Sequence, residues 1–161
     1  MEIYEYARNL KRNTFIIMAK FILDMEQVQE NFFSDTALIG IVSPLASQRF
    51  CGIVNRMLDM DFVRKPESDP VVEIKGEVHH FHFYEYCLPL NGGRYAIYRM
   101  KSENEPLLPE IKQLDYLWMV ECAGCDEKAA TIIQLLRNLP DVQLAQTVET
   151  DKLKNAHLLL V

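Results

Sequence analysis

Residues 36 to 42 (Thr-Ala-Leu-Ile-Gly-Ile-Val) form an unbroken apolar run rich in β-branched side chains, which is the pattern of a buried strand. Ser43 and Pro44 follow, a pair suited to opening a helix because Ser accepts from an orphan N–H and Pro fits the first helical position. Apolar residues then recur at Ala46, Phe50, Ile53, Val54, Met57 and Leu58, with Gln48, Arg49, Asn55 and Arg56 between them. This spacing predicts an amphipathic helix of roughly four turns. Gly52 inside it costs about 1 kcal/mol relative to Ala, which suggests a close helix-sheet contact.

Beyond Asp61 the pattern turns to strands: Phe62 and Val63, Val71 to Ile74, then an alternation through Val78, His80, His82, Tyr84 and Tyr86. Asn91-Gly92-Gly93 supplies the positive φ angles of a tight hairpin turn, with Tyr95 to Met100 as the returning strand and the polar stretch from Lys101 to Pro109 as a loop. Asp115 to Glu121 is a second strongly apolar strand. It leads through Cys122 and Cys125 to Asp126, an expected N-cap, and to a helix with Ala129, Ile132, Ile133, Leu136 and Leu139 on its buried face, ended by Pro140. Residues 142 to 148 and 156 to 161 are expected as closing strands.

An echo runs through the chain at an interval of 80: Asp35 with Asp115, Ile53 with Ile133, Asp61 with Asp141. Each copy reads strand, helix, Asp, then β-type residues, as a repeated unit would. The expected fold is an α+β two-layer sandwich, a mainly antiparallel sheet with two helices on one face, in a ferredoxin-like arrangement of two βαβ halves joined by a β-hairpin. Residues 1–17 lack periodicity, whereas Met18-Ala19-Lys20 stands directly before a strand-like Phe21-Ile22-Leu23. The reading is therefore one α+β domain over 18–161, with 1–17 a non-native or loosely ordered extension and Met18 the native start.

Composition narrows the function. Twenty-three acidic residues against 17 basic ones give a net charge of −6, and the basic residues are scattered. Nucleic acid and anionic membrane surfaces are thereby disfavoured as partners. No apolar run approaches the roughly 20 residues that span a bilayer, and the stretch from Phe15 to Ala19 is too short for a secretory signal. The four cysteines are too sparse for a disulfide scaffold and fit a reducing cytoplasm.

Two local patterns bear on chemistry. Cys122-Ala-Gly-Cys125 lies between a strand and a helix N-terminus, where a thiolate is stabilised, so a thiol-disulfide exchange site is one reading. Glu121, Asp126 and Glu127 around it oppose a thiolate, and the alternative is two small apolar fillers. His80 and His82 share one face of a regular strand and could hold a metal ion; the alternative is a solvated strand face. The sequence contains no Ser-His-Asp ordering, phosphate loop or HExxH.

Residues 108 to 116 (Leu-Pro-Glu-Ile-Lys-Gln-Leu-Asp-Tyr) resemble the motif that names the IPExxxVDY family of bacterial proteins. Pro109, Glu110, Asp115 and Tyr116 match it outright, while Leu108 and Leu114 replace Ile and Val. The likeness extends to Phe21-Ile-Leu-Asp24, to Leu38-Ile-Gly-Ile41 followed by a Ser-initiated helix, and to Lys152-Leu-Lys-Asn155 before an apolar strand. It covers most of 18–161. The resemblance implies neither an activity nor a cofactor. The motif reads either as architecture, with Glu110 accepting backbone bonds, or as a ligand or partner surface formed by Pro109, Glu110, Asp115 and Tyr116. The expected protein is a non-enzymatic cytoplasmic module that binds a protein or small molecule and pairs with a second copy, as ferredoxin-like sheets often do. The other readings are an oxidoreductase using Cys122 and Cys125 and a metal-binding protein using His80 and His82.

Overall fold

A computed structural model describes residues 33–159. In chain order the elements are β1 (Thr36–Val42), α1 (Ser47–Leu58), β2 (Val63–Arg64), β3 (Val71–Ile74), β4 (Glu77–His80), β5 (Phe83–Cys87), β6 (Arg94–Arg99), β7 (Lys101–Ser102), β8 (Glu105–Pro106), β9 (Tyr116–Glu121), α2 (Cys125–Arg137) and β10 (Leu144–Val148). They lie in one unit, Asp35–Val161. The expected boundary at 17/18 and the strand expected at 21–23 fall outside the described residues.

β1 reads as a continuous apolar run because it is an inner strand, paired antiparallel with β9 on one side and β10 on the other. The main sheet has the order β10-β1-β9-β6-β5-β2, with antiparallel neighbours throughout. Its alternate residues Ile39, Trp118 and Ile97 face the same core as Phe50 and Val54 of α1 and Ile132 and Leu136 of α2. The fold is the α+β sandwich expected, helices on one face of an antiparallel sheet. At the 80-residue interval β1-α1-β2 is followed by β9-α2-β10. The hairpin of β5 and β6 joins the halves and lies between β9 and the edge strand β2. Two further hairpins, β3-β4 and β7-β8, stand as separate two-stranded sheets.

Several local expectations are corrected. Ser43 and Pro44 do not open α1, which starts at Ser47 after an extended Ala46. The backbone N–H of Ser43 donates to Asp115 Oδ2 at 3.0 Å and its hydroxyl accepts from Leu45 N–H, so both groups serve a loop. The buried face of α1 is narrower than its spacing suggests, leaving Met57 60% exposed. Gly52 makes no close contact: nothing lies within 4 Å of a Cβ built there. Asp126 is not the N-cap of α2, because Gly124 at φ +67° turns the chain and Cys125 is already helical. The β5-β6 connection is no two-residue turn but a loop closed by Leu88 N–H on Gly93 O at 2.9 Å, with Leu90 and Asn91 both at positive φ. Residues 156–159 form a 3-10 turn where a strand was expected.

Candidate functional site

The segment 108–116 folds as a short bridge into β9. Leu108 and Leu114 are buried, and Pro109 opens a single 3-10 turn, Pro109–Ile111, where its missing N–H costs nothing. Leu114 lies against Gly40, whose absent side chain makes the room: a Cβ there would stand 2.5 Å from a Leu114 methyl.

The three polar residues of the motif, Glu110, Asp115 and Tyr116, bond within the protein. The Glu110 carboxylate accepts the backbone N–H of Asn155 at 2.9 Å and its side-chain amide at 3.1 Å. Burial pushes this carboxyl up, but the bonds from Asn155, from its own backbone and from Lys154 outweigh it and hold the carboxyl below its ordinary 4.5. Asp115 accepts Ser43 N–H through Oδ2 and pairs with Lys101 Nζ through Oδ1 at 2.8 Å. Tyr116 is wholly buried. Its hydroxyl donates to the Leu45 carbonyl, its ring stacks on Phe50 at 4.2 Å, and the Arg99 guanidinium lies 4.7 Å from the ring centre. Burial pushes its phenol well above the usual range. Asp115 and Tyr116 thus fix the loop between β1 and α1, while Glu110 fixes the chain near its C-terminal end.

Pro109 faces an open groove. It lines a hollow of about 320 Å³ with Val72 and Ile74 of β3, Pro106 of β8, Leu107 and Leu158, and with Glu105 and Asn155 as the polar members. The Asn155 wall is the residue that Glu110 holds. Glu105 is paired with Lys75 Nζ at 2.5 Å. A groove of this size with mostly apolar walls and few polar groups is the usual form of a small-molecule site. A second hollow, of about 390 Å³, lies among Met60, Tyr95, Glu127, Lys128, Thr131, Ile132 and Leu135.

Cys122 ends the β9 region and Cys125 begins α2; both are buried free thiols. Burial first, then the charges of Asp126 and Cys122, push the Cys125 thiol up, opposite to what an exchange nucleophile needs. The histidine row is interrupted. β4 ends at His80 and β5 begins at Phe83, so His80 is paired with Val71 in the small hairpin, whereas His82 lies in the corner and meets Ser47 Oγ through Nδ1 at 2.8 Å. Regular alternation stops because Phe83 and Tyr84 are both buried. Among the described residues no group of three or more His, Cys, Asp or Glu could hold a metal ion.

No family model, curated protein or solved structure matches this chain. Sequence reasoning missed the groove walls contributed by Val72, Ile74, Asn155 and Leu158, as well as the meeting of Ser47 with His82. One signal was available for β3-β4: Lys75 and Gly76, both at positive φ, are a two-residue hairpin connection.

Proposed function

We propose that the protein is a binding module for a small, mostly apolar molecule held in the groove between β3, β8, Pro109 and the 155–158 turn. The observation that carries the reading is the pair of hydrogen bonds from Asn155 to the Glu110 carboxylate, by which the motif sets one polar group at the wall that Pro109 also lines. On this reading the motif is both architecture and site: Glu110 positions, Pro109 and Asn155 touch. The proposal includes membership of the IPExxxVDY family, on the strength of Pro109, Glu110, Asp115 and Tyr116, and a cytoplasmic setting, which four unbridged cysteines suit.

A ligand-observed NMR screen of neutral aromatic and aliphatic fragments tests it, with Ile74→Asp and Leu135→Asp as paired variants. Binding lost in Ile74→Asp and kept in Leu135→Asp supports the groove. The reverse pattern moves the site to the hollow beside α2 and overturns the reading, as does a screen without binders.

A further inference from the structure

The N-terminus of α1 brings together a hydroxyl, an imidazole and a phenol that are far apart in sequence. Ser47, the first residue of α1, has Oγ 2.8 Å from His82 Nδ1, and Tyr84 OH donates to the same Oγ at 3.3 Å. In the tautomer protonated at Nε2, His82 Nδ1 accepts the serine proton while Tyr84 donates to Oγ. The imidazole stands on a fixed corner: the His82 carbonyl accepts Arg99 N–H at 2.8 Å, and the next residue donates its N–H to Asp69 at 3.0 Å. Ser47 is buried and His82 exposed, so the pair lies at the surface of the core. The first helical bond of α1 runs from Phe50 N–H to Ala46 O, and Ala46 offers no side-chain cap. The N–H groups of Gln48 and Arg49 therefore precede the helical ladder, and a helix N-terminus favours developing negative charge.

We propose that Ser47 is a nucleophile activated by His82, and that it takes the acyl group of a small activated carboxylic ester. This inference does not depend on the groove. Ser47 Oγ forms a bond to the carbonyl carbon while its proton passes to His82 Nδ1, and the carbonyl π pair moves to an oxygen beside the helix N-terminus. That pair returns as the bond to the alcohol oxygen breaks, and the alcohol leaves with the proton from His82. Water then attacks the acyl-serine, giving its proton to His82, and Ser47 is regenerated with release of the carboxylic acid. A nucleophile and base within hydrogen-bond reach are the geometric requirement of this chemistry.

The test combines a fluorophosphonate probe with p-nitrophenyl acetate on the full chain. Expected are one phosphonyl adduct mapped to Ser47 and a burst of nitrophenolate, both absent in Ser47→Ala. His82→Gln is expected to slow labelling at least about a hundredfold with an unchanged circular dichroism spectrum. Labelling of wild-type Ser47 no faster than of exposed serines overturns the proposal without recourse to any variant. So does a folded His82→Gln protein that labels at the wild-type rate, which would make the contact a structural tie.

Discussion

Glu110 and Asn155 are joined twice, backbone N–H and side-chain amide both donating to one carboxylate at 2.9 and 3.1 Å. The bonds favour the charged form, and they hold the Glu110 carboxyl below its ordinary 4.5. A depressed carboxyl adds stability that is fully present above the unfolded value and is lost as pH falls through the folded one. Wild-type protein is therefore expected to lose stability from about pH 4.5 downward. Glu110→Gln is expected to be less stable at neutral pH by roughly 1 kcal/mol, allowing for solvent screening, and to show a shallower acid dependence. Urea unfolding across pH 3 to 7 compares them, and parallel curves for the two proteins would contradict the assignment.

Tyr116→Phe removes the hydroxyl that donates to Leu45 O but keeps the ring on Phe50. The Leu45 carbonyl then loses its partner beside a wholly buried side chain, and a cost of about 1 to 3 kcal/mol is expected. Denaturant titration measures it. Hydrogen exchange should show the loss concentrated between β1 and α1.

The two glycines Gly52 and Gly93 are expected to respond in opposite senses. Gly52 is helical with open space around it, so Gly52→Ala should stabilise the protein by about 0.5 to 1 kcal/mol. Gly93 has φ +107°, and a Cβ there would meet the Glu121 carbonyl at 2.2 Å. Gly93→Ala should cost more than 1 kcal/mol. Thermal melts of the pair check both signs.

Much of the fold was legible where one element decides its own pattern. β1 and β9 are inner strands apolar on both faces, and the buried side of α2 was readable from Ala129 to Leu136. Boundaries were not, because distant residues set them: Asp115 and Tyr116 hold residues 43–45 and so delay α1 to Ser47. The motif could be found in the sequence, but not what it holds. Glu110 meets Asn155 across 45 residues, and Ser47 meets His82 across 35, separations that periodicity does not encode.

Thiol chemistry divides by burial. Cys87 is exposed, whereas Cys51 is buried with its thiol pushed up to about 12 by loss of solvation, against the opposing charge of Arg64, and Cys125 is also raised by burial. Iodoacetamide at pH 7.5 is expected to modify Cys87 first, with Cys51 and Cys125 following only on unfolding. Peptide mapping over time reads the order. Early modification of Cys125 would restore the exchange reading of the Cys122-Cys125 pair.

On the proposed function, the motif builds one wall of a small-molecule groove. Amide chemical-shift mapping with the tightest fragment from the screen reads the site out residue by residue. Shifts are expected only at Val72, Ile74, Glu105, Leu107, Asn155 and Leu158, with an affinity weakened about tenfold in Glu110→Gln. Shifts centred on Met60, Thr131 and Leu135, or an affinity that Glu110→Gln leaves unchanged, would contradict it.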